Sequence, residues 1–126
     1  MAEPTREDAQ LVVQLATLFA QSGARAATSW IWSDEFVSDH EEFKAKYPPG
    51  SEGFDRITMA AGFYETIGTL WKHQLINQEL LFDWLAMEPI WNRMKPVLLG
   101  MREEMGEPRL WENFEAMVEA SVPARV

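Results

Sequence analysis

One carboxylate stands inside a strongly apolar stretch of the sequence, GFYETIGTLW at residues 62–71. This carboxylate, Glu65, could act as a catalytic acid or belong to a structural ion pair, since both occur in apolar surroundings. At about 100° per residue, a helical wheel places Glu65 at the border of the apolar face. A carboxylate at such a border can meet an arginine of the next helix while it stays partly hydrated. The position therefore favours a structural ion pair over a catalytic acid.

Neither histidine has the neighbours of a helical metal site. Di-iron bundles use Glu and His three residues apart on one helix face. The positions three and four residues away from His40 and His73 carry no carboxylate. The acidic run DEFVSDHEE, residues 34–42, lacks the glycine and the oxygen spacing of a calcium loop, so it is interpreted as a solvated helix face. We therefore predict no metal site.

The sequence also lacks the motifs of common catalytic and cofactor-dependent proteins. It has no cysteine, which excludes thiol catalysis, Cys-based zinc sites and disulfides. It has no Walker loop and no Gly-x-Gly-x-x-Gly, and PGSEG around Ser51 is not the Gly-x-Ser-x-Gly of a nucleophile elbow. No cofactor is predicted, and a catalytic function is the less favoured interpretation.

The charge balance restricts the partners of the chain. Eleven Lys and Arg against 20 Asp and Glu leave a net charge of −9 without a basic cluster, which argues against nucleic-acid binding. The uncharged window AQLVVQLATLFAQSGA, residues 9–24, is shorter than the roughly 20 apolar residues of a membrane span. The start, MAEPTRED, is not the basic region that opens a signal peptide. We expect a cytoplasmic protein.

Helical periodicity dominates the chain and predicts an all-α fold. We expect a single domain over residues 1–126, a compact bundle of five to six helices with prolines marking the joints. Thr5 and Asp8 resemble a capping box that starts the first helix, which should end near Ser22. Residues 24–33 combine helix-favouring alanines with the strand-like alternation of WIW; we interpret them as helix.

The later helices follow from apolar stripes and stop signals. Two are expected from about residue 34 to the Pro48-Pro49-Gly50 stop and over about 53–74. Two more should start at about residue 78 and at Pro89, the second with a bend at Pro96. The last helix is expected from Arg109 to about Ser121. In the central helix, a face of small residues should let another backbone approach: Thr58, Gly62, Thr66 and Thr69. Flexible or loop segments are expected at 1–5, 48–53 and 122–126.

The six tryptophans include one pair that core packing alone does not explain. Trp71, Trp84 and Trp91 lie on helical apolar stripes and are interpreted as core. Trp30 and Trp32 are two residues apart and cannot both face inward from one helix. One of these two is therefore a candidate for an interface with a partner.

Four short motifs together resemble one protein family. They are FYETIG at 63–68, LINQELLFDWL at 75–85, Trp91 followed by Pro96 and Arg102, and EPRLWENFE at 107–115. Their order and spacing are similar to the DUF4760 family over about residues 54–118. Some members of that family carry an N-terminal hydrophobic membrane segment, from which this sequence departs. The resemblance implies a helical fold and a domain of unknown function, so it supplies no reaction.

The resemblance also implies which polar residues belong to a shared framework: Glu65, Arg102, Asn113 and Glu115. A half-buried carboxylate needs a partner, and we expect Arg102 or Arg93 to provide it for Glu65. Asn113 could satisfy backbone groups at a helix end.

Three functions are compatible with these observations. The favoured one is a non-catalytic protein–protein interaction or regulatory module, acting on a protein partner or a second copy through an apolar groove with tryptophan at its rim. The alternative is a small-molecule pocket or unfamiliar enzyme that uses Glu65 as a functional acid. The last is peripheral membrane association through the first helix and Trp30–Trp32, which the acidic charge disfavours.

Overall fold

The computed structural model describes residues 3–124, and this range contains seven helices and no strand. The helices are α1 Arg6–Gln21, α2 Ala24–Ile31, α3 His40–Lys46, α4 Glu52–Lys72, α5 Gln78–Trp84, α6 Glu88–Glu104 and α7 Glu112–Ala124. The all-α prediction is confirmed, and residues 24–31 are helical as interpreted. The predicted number of five to six helices was too low. Three short helices of seven or eight residues each begin and end separately: α2, α3 and α5.

Four helices begin at a residue whose own side chain caps them. In α1, the Thr5 hydroxyl accepts from the Asp8 amide at 3.1 Å and the Asp8 carboxylate accepts from the Thr5 amide at 2.8 Å, which confirms the predicted capping box. Side chains also accept helix amides at the starts of α3, α4 and α5, namely those of Asp39, Ser51 and Asn77.

Two predicted helix starts were wrong. Residues 34–39 form turns and irregular chain rather than the first part of a helix. The Asp39 carboxylate accepts from the Glu42 amide and sets the start of α3 at His40. Phe36 is buried from this non-helical segment, which is why it matched an apolar stripe. The last helix starts at Glu112 and not at Arg109.

Proline marks only some of the joints. Pro48 and Pro49 separate α3 from α4, and Pro108 separates α6 from α7, but Pro96 and Pro123 lie inside α6 and α7. The loop expected at 48–53 ends earlier, since α4 begins at Glu52. The flexible ends expected at 1–5 and 122–126 lie partly outside the described residues.

The central helix of the fold is α4, which packs mainly against α7 on one side and α2 on the other. Eight of its residues are buried. The close approach of another backbone occurs at Gly68, where an added Cβ would lie 2.7 Å from the Asn113 carbonyl carbon and oxygen. Gly62 belongs to the face of small residues that was predicted to allow this approach. The prediction was wrong for Gly62, because no neighbouring atom lies within 4 Å of a Cβ added there.

Candidate functional site

Glu65 caps the start of α7 from the neighbouring helix α4. Its Oε1 accepts from the backbone amides of Asn113 at 3.0 Å and Phe114 at 2.9 Å, the second and third residues of α7. The residue in the capping position is Trp111, whose carbonyl accepts from the Glu115 amide. An indole has no acceptor for free helix amides, so a carboxylate from α4 takes the place of the usual Ser, Thr, Asp or Asn. The negative charge also lies at the positive end of the helix dipole.

The contact between α4 and the start of α7 is tight on both sides of Glu65. The absence of a side chain at Gly68 allows the Asn113 backbone to approach. The Asn113 side chain donates to the Thr69 hydroxyl at 3.3 Å, and the rings of Tyr64 and Phe114 stack with centroids 4.9 Å apart. Because these contacts surround the carboxylate, Glu65 belongs to a helix–helix junction rather than to an open cleft.

The two arginines expected beside Glu65 make other contacts. Arg102 donates to the Leu110 carbonyl at 2.9 Å and pairs with Glu115 at 3.0 Å, which ties α6 to α7. Within residues 3–124, the arginine ion pairs involve Arg56, Arg102 and Arg109, and none of them reaches Glu65. The structure therefore brings Glu65 together with Asn113, and Arg102 with Glu115, at the same end of α7.

Arg93 supports the candidate tryptophan interface. Its guanidinium donates to the carbonyls of Ile31 and Ser33 and lies over the Trp32 ring, 5.6 Å from the centroid. Trp32 is 52% exposed, whereas Trp30 is 8% exposed and packs in the core. Of the pair, Trp32 is the residue that a partner could contact, and Arg93 holds the backbone on both sides of it.

The structure also contains an apolar surface pocket that the sequence did not predict, which we call the α3–α6 pocket. It lies between α3, the loop before α4, and the C-terminal end of α6, and its volume is about 250 Å³. Six of its nine lining residues are apolar or aromatic: Phe43, Tyr47, Pro49, Phe54, Met101 and Met105. Met105 is 66% exposed, so the apolar lining continues onto the outer surface.

Two helical glycines determine the walls of this pocket. An added Cβ on Gly100 of α6 would lie 2.2 Å from the His40 ring, and one on Gly53 of α4 would lie 2.3 Å from the Tyr47 ring. The His40 and Tyr47 rings thus each lie directly against the backbone of a neighbouring helix. The Tyr47 hydroxyl donates to the Glu35 carbonyl at 2.7 Å, which fixes the ring further. The pocket is therefore preformed by the packing of α3.

Three titratable residues line the pocket and contact one another: His40, Lys44 and Glu104. Lys44 Nζ lies 3.1 Å from Glu104 Oε2, and His40 Nε2 lies 3.6 Å from the same oxygen. The hydrogen bond that Lys44 donates to Glu104, together with the negative charge of that carboxylate, raises the pKa of Lys44, so this lysine stays cationic over the physiological range. These groups partner one another around the apolar interior.

The pocket combines residues that are distant in sequence, so the periodicity of the sequence does not reveal it. A local signal is the pair Met101 and Met105, one helical turn apart, of which only the first is buried. Methionine is a common filler of cores, so the sequence alone does not distinguish an adaptable binding surface from packing.

Comparison with known proteins gives the family of the chain. The profile of DUF4760, a domain of unknown function, matches residues 4–121. The chain belongs to the DUF4760 family, as its motifs predicted, and the match also includes the N-terminal part that the motifs left out. No match was found among curated proteins or among solved structures.

Among residues 3–124, no helix has both the length and the apolar character to cross a membrane. Within the same range, no three His, Asp or Glu side chains are grouped as ligands for a metal ion.

Proposed function

We propose that this chain is a non-catalytic protein-interaction or regulatory module and that the α3–α6 pocket is its binding site. The observation that carries the proposal is a preformed apolar pocket that opens to the surface beside the exposed Met105. Adaptable methionines and aromatic walls are typical of surfaces that receive an apolar side chain of a partner. The absence of cysteine, and so of disulfides, fits the cytoplasm as the compartment of this module.

The size of the pocket favours a protein partner over a small molecule. Pockets for small molecules usually enclose about 300–1,000 Å³ and contain a few polar groups that orient the ligand. This one encloses about 250 Å³, and its polar residues lie at the edge and pair with one another. A single apolar side chain from a protein surface suits such a site.

The exposed Trp32 supports the same function, because it contacts α6 at Arg93, on the N-terminal side of the pocket. Arg93, which holds Trp32, and Glu104, which borders the pocket, are eleven residues apart and share one face of α6. At 1.5 Å per residue, they are separated by about 16 Å, or three helical turns. A partner helix of ordinary length could contact both.

The alternatives have less support from the contacts. An enzyme that uses Glu65 as an acid would need a carboxylate that faces substrate, whereas its Oε1 already accepts two amides of α7. Association with anionic membranes is opposed by the net charge of −9.

Selection from a library of random peptides displayed on phage tests the proposal with the whole chain. Met105→Ser removes an exposed side chain of the pocket, and Leu75→Ser is the matched control, since Leu75 is 62% exposed and lies outside the pocket. We expect selected peptides to bind Met105→Ser about tenfold more weakly and Leu75→Ser unchanged, as for a hot-spot residue. No enrichment, or equal binding to both variants, would contradict the proposal.

A further inference from the structure

We infer that the outer face of α1 is a self-association surface, on which a second copy of this chain binds with the two α1 helices antiparallel. This face is defined by five exposed residues, Ala9, Gln10, Val13, Gln14 and Ala16. None of them lines the α3–α6 pocket. The inference therefore goes beyond the proposed function and does not depend on it.

The outer face of α1 carries no charge, although the protein is strongly acidic. Residues 9–24 are the longest uncharged stretch of the sequence, and α1 exposes one side of it. The other long helices expose charged residues, for example Asp55, Lys95 and Glu119. Since each copy has a net charge of −9, two copies repel one another least where an uncharged face meets its own equivalent.

The helix α1 has a second apolar stripe opposite the one that faces the core. Its buried residue is Leu15. On the far side, Ala9, Val13, Ala16 and Ala20 follow the four- and three-residue spacing of a coiled-coil seam. Val13 is 65% exposed, so it contributes little to the core. This spacing favours a second helix as the occupant, whereas helices that lie on membranes use bulky residues such as Trp, Phe and Leu.

The outer face is complementary to itself, because it contains both a projecting side chain and a depression. The depression lies between Ala9, Gln10, Val13 and Gln14. Val13 is also the most exposed large hydrophobic residue of α1. With the helices antiparallel, Val13 of each copy enters the depression of the other, as a knob enters a hole of four residues. A dimer with two-fold symmetry requires such a surface, which supplies both halves of the contact.

The polar groups of this face can be covered without the loss of hydrogen bonds. The Thr17 hydroxyl donates to the Val13 carbonyl at 2.8 Å, so its partner lies within α1. The side-chain amides of Gln10 and Gln14 both donate and accept, so they can bond to the same amides of the second copy. The antiparallel arrangement also places the charged first turn of each α1 beside the uncharged half of the other.

The size of the contact predicts a weak dimer. With 16 residues at about 1.5 Å per residue, α1 offers a strip about 24 Å long and about 10 Å wide. A standard stable interface buries about 800 Å² of accessible surface on each partner, which is more than one helix pair of this size covers. We therefore expect a dissociation constant between about 10 µM and about 1 mM.

Sedimentation equilibrium of the whole chain over about that range of concentrations tests the inference. We expect a reversible equilibrium of monomer and dimer, which Val13→Glu weakens at least about tenfold because it buries a charge. Met105→Glu is the matched control, since it adds the same charge at an exposed residue of the α3–α6 pocket and should leave the equilibrium unchanged. Association should strengthen between about 50 and about 500 mM salt, because salt screens the repulsion between the two acidic copies.

The cysteine-free sequence allows a direct test of the arrangement by crosslinking. When each Val13 occupies the depression of the other copy, Ala9 lies opposite Ala16 of the second copy. Two Ala9 residues, or two Ala16 residues, are then about 10 Å apart along the helix axis. A disulfide needs Cα atoms within about 7 Å. An oxidised mixture of Ala9→Cys and Ala16→Cys should therefore crosslink, and neither variant alone should.

Several results would overturn the inference. They are a chain that stays monomeric at about 1 mM, a dimer unaffected by Val13→Glu, and crosslinking of Ala9→Cys alone. A dimer that Met105→Glu dissociates would assign the second copy to the α3–α6 pocket, which overturns the inference and leaves the proposed function standing. Flotation of a monomeric chain with phosphatidylcholine vesicles, abolished by Val13→Glu, would assign α1 to a lipid surface instead. Failure of peptide selection at the pocket would count only against the proposed function.

Discussion

Replacement of Glu65 by alanine removes the oxygen to which the amides of Asn113 and Phe114 donate. The amides then lie at a partly buried helix start without an acceptor from the chain. Replacement by glutamine is milder, because the amide oxygen of glutamine can still accept both hydrogen bonds while the negative charge is lost.

The expected magnitudes follow from these contacts. A hydrogen bond to a charged acceptor contributes about 1.5–3 kcal/mol, and one to a neutral acceptor about 0.5–1.5 kcal/mol. The junction is only partly buried, so we expect Glu65→Ala to lower the free energy of unfolding by about 2–4 kcal/mol. Glu65→Gln loses mainly the interaction with the helix dipole and should lower it by about 0.5–1.5 kcal/mol.

Urea denaturation followed by circular dichroism measures both values. Glu119→Ala is the control, since Glu119 is exposed on α7 and makes no ion pair with described residues. A shift of the midpoint at constant slope would show a change of stability rather than of compactness. Because domains of this kind are stable by about 5–15 kcal/mol, the alanine variant should still fold.

One result would refute the reasoning about Glu65. If Glu65→Ala were as stable as Glu119→Ala, the carboxylate would not stabilise the start of α7. If stability held while peptide binding or an activity of the chain disappeared, Glu65 would be a functional residue and the alternative function would replace the favoured one.

Three further predictions concern α4 and α1. In urea denaturation, Gly68→Ala should destabilise the fold by about 1–3 kcal/mol, whereas Gly62→Ala should stabilise it by about 0.5–1 kcal/mol. Burial raises the pKa of Tyr64 above its usual 10.0, so the unfolded chain ionises first as the pH rises. Wild type should lose more stability than Tyr64→Phe between pH 9 and 11. Hydrogen bonds from the Thr5 amide and hydroxyl lower the pKa of Asp8 below 3.8, so Asp8→Asn should be less stable than wild type at pH 6, with the gap closing as the pH falls below that value.

Each of these predictions has a result that would contradict it. Destabilisation by both glycine variants would mean that added methyl groups on α4 act through something other than the contact with α7. Parallel pH profiles for wild type and Tyr64→Phe would remove burial as the cause of the alkaline loss. A gap for Asp8→Asn that persists at pH 2 would point to lost packing rather than lost charge.

The sequence predicted the start of α1, which depends on local chemistry. Thr5 and Asp8 are three residues apart and cap the same helix, so their types and spacing suffice. The start of α3 was missed because Phe36 is buried from a non-helical segment, and periodicity cannot distinguish that from the first turn of a helix. The start of α7 was missed because its cap comes from Glu65, 48 residues earlier in the chain.

The sites show the same division between local and distant contacts. That Trp30 and Trp32 cannot both be buried follows from their spacing. The partner of Glu65 was expected to be an arginine because side-chain charges are visible in a sequence, whereas free backbone amides depend on where a helix begins. The pocket depends on Gly53 beneath Tyr47 and on Gly100 beneath His40, and the second contact joins residues sixty positions apart.

Methyl NMR of the chain labelled at its methionines tests the proposed binding site most directly. Met101 and Met105 line the α3–α6 pocket, and Met59, 45% exposed on α4, reports on a surface away from it. When the strongest display-selected peptide is added, the proposal predicts saturable shifts of the Met101 and Met105 methyl signals and an unchanged Met59 signal. Shifts confined to Met59, or binding that leaves Met101 and Met105 unmoved, would contradict it.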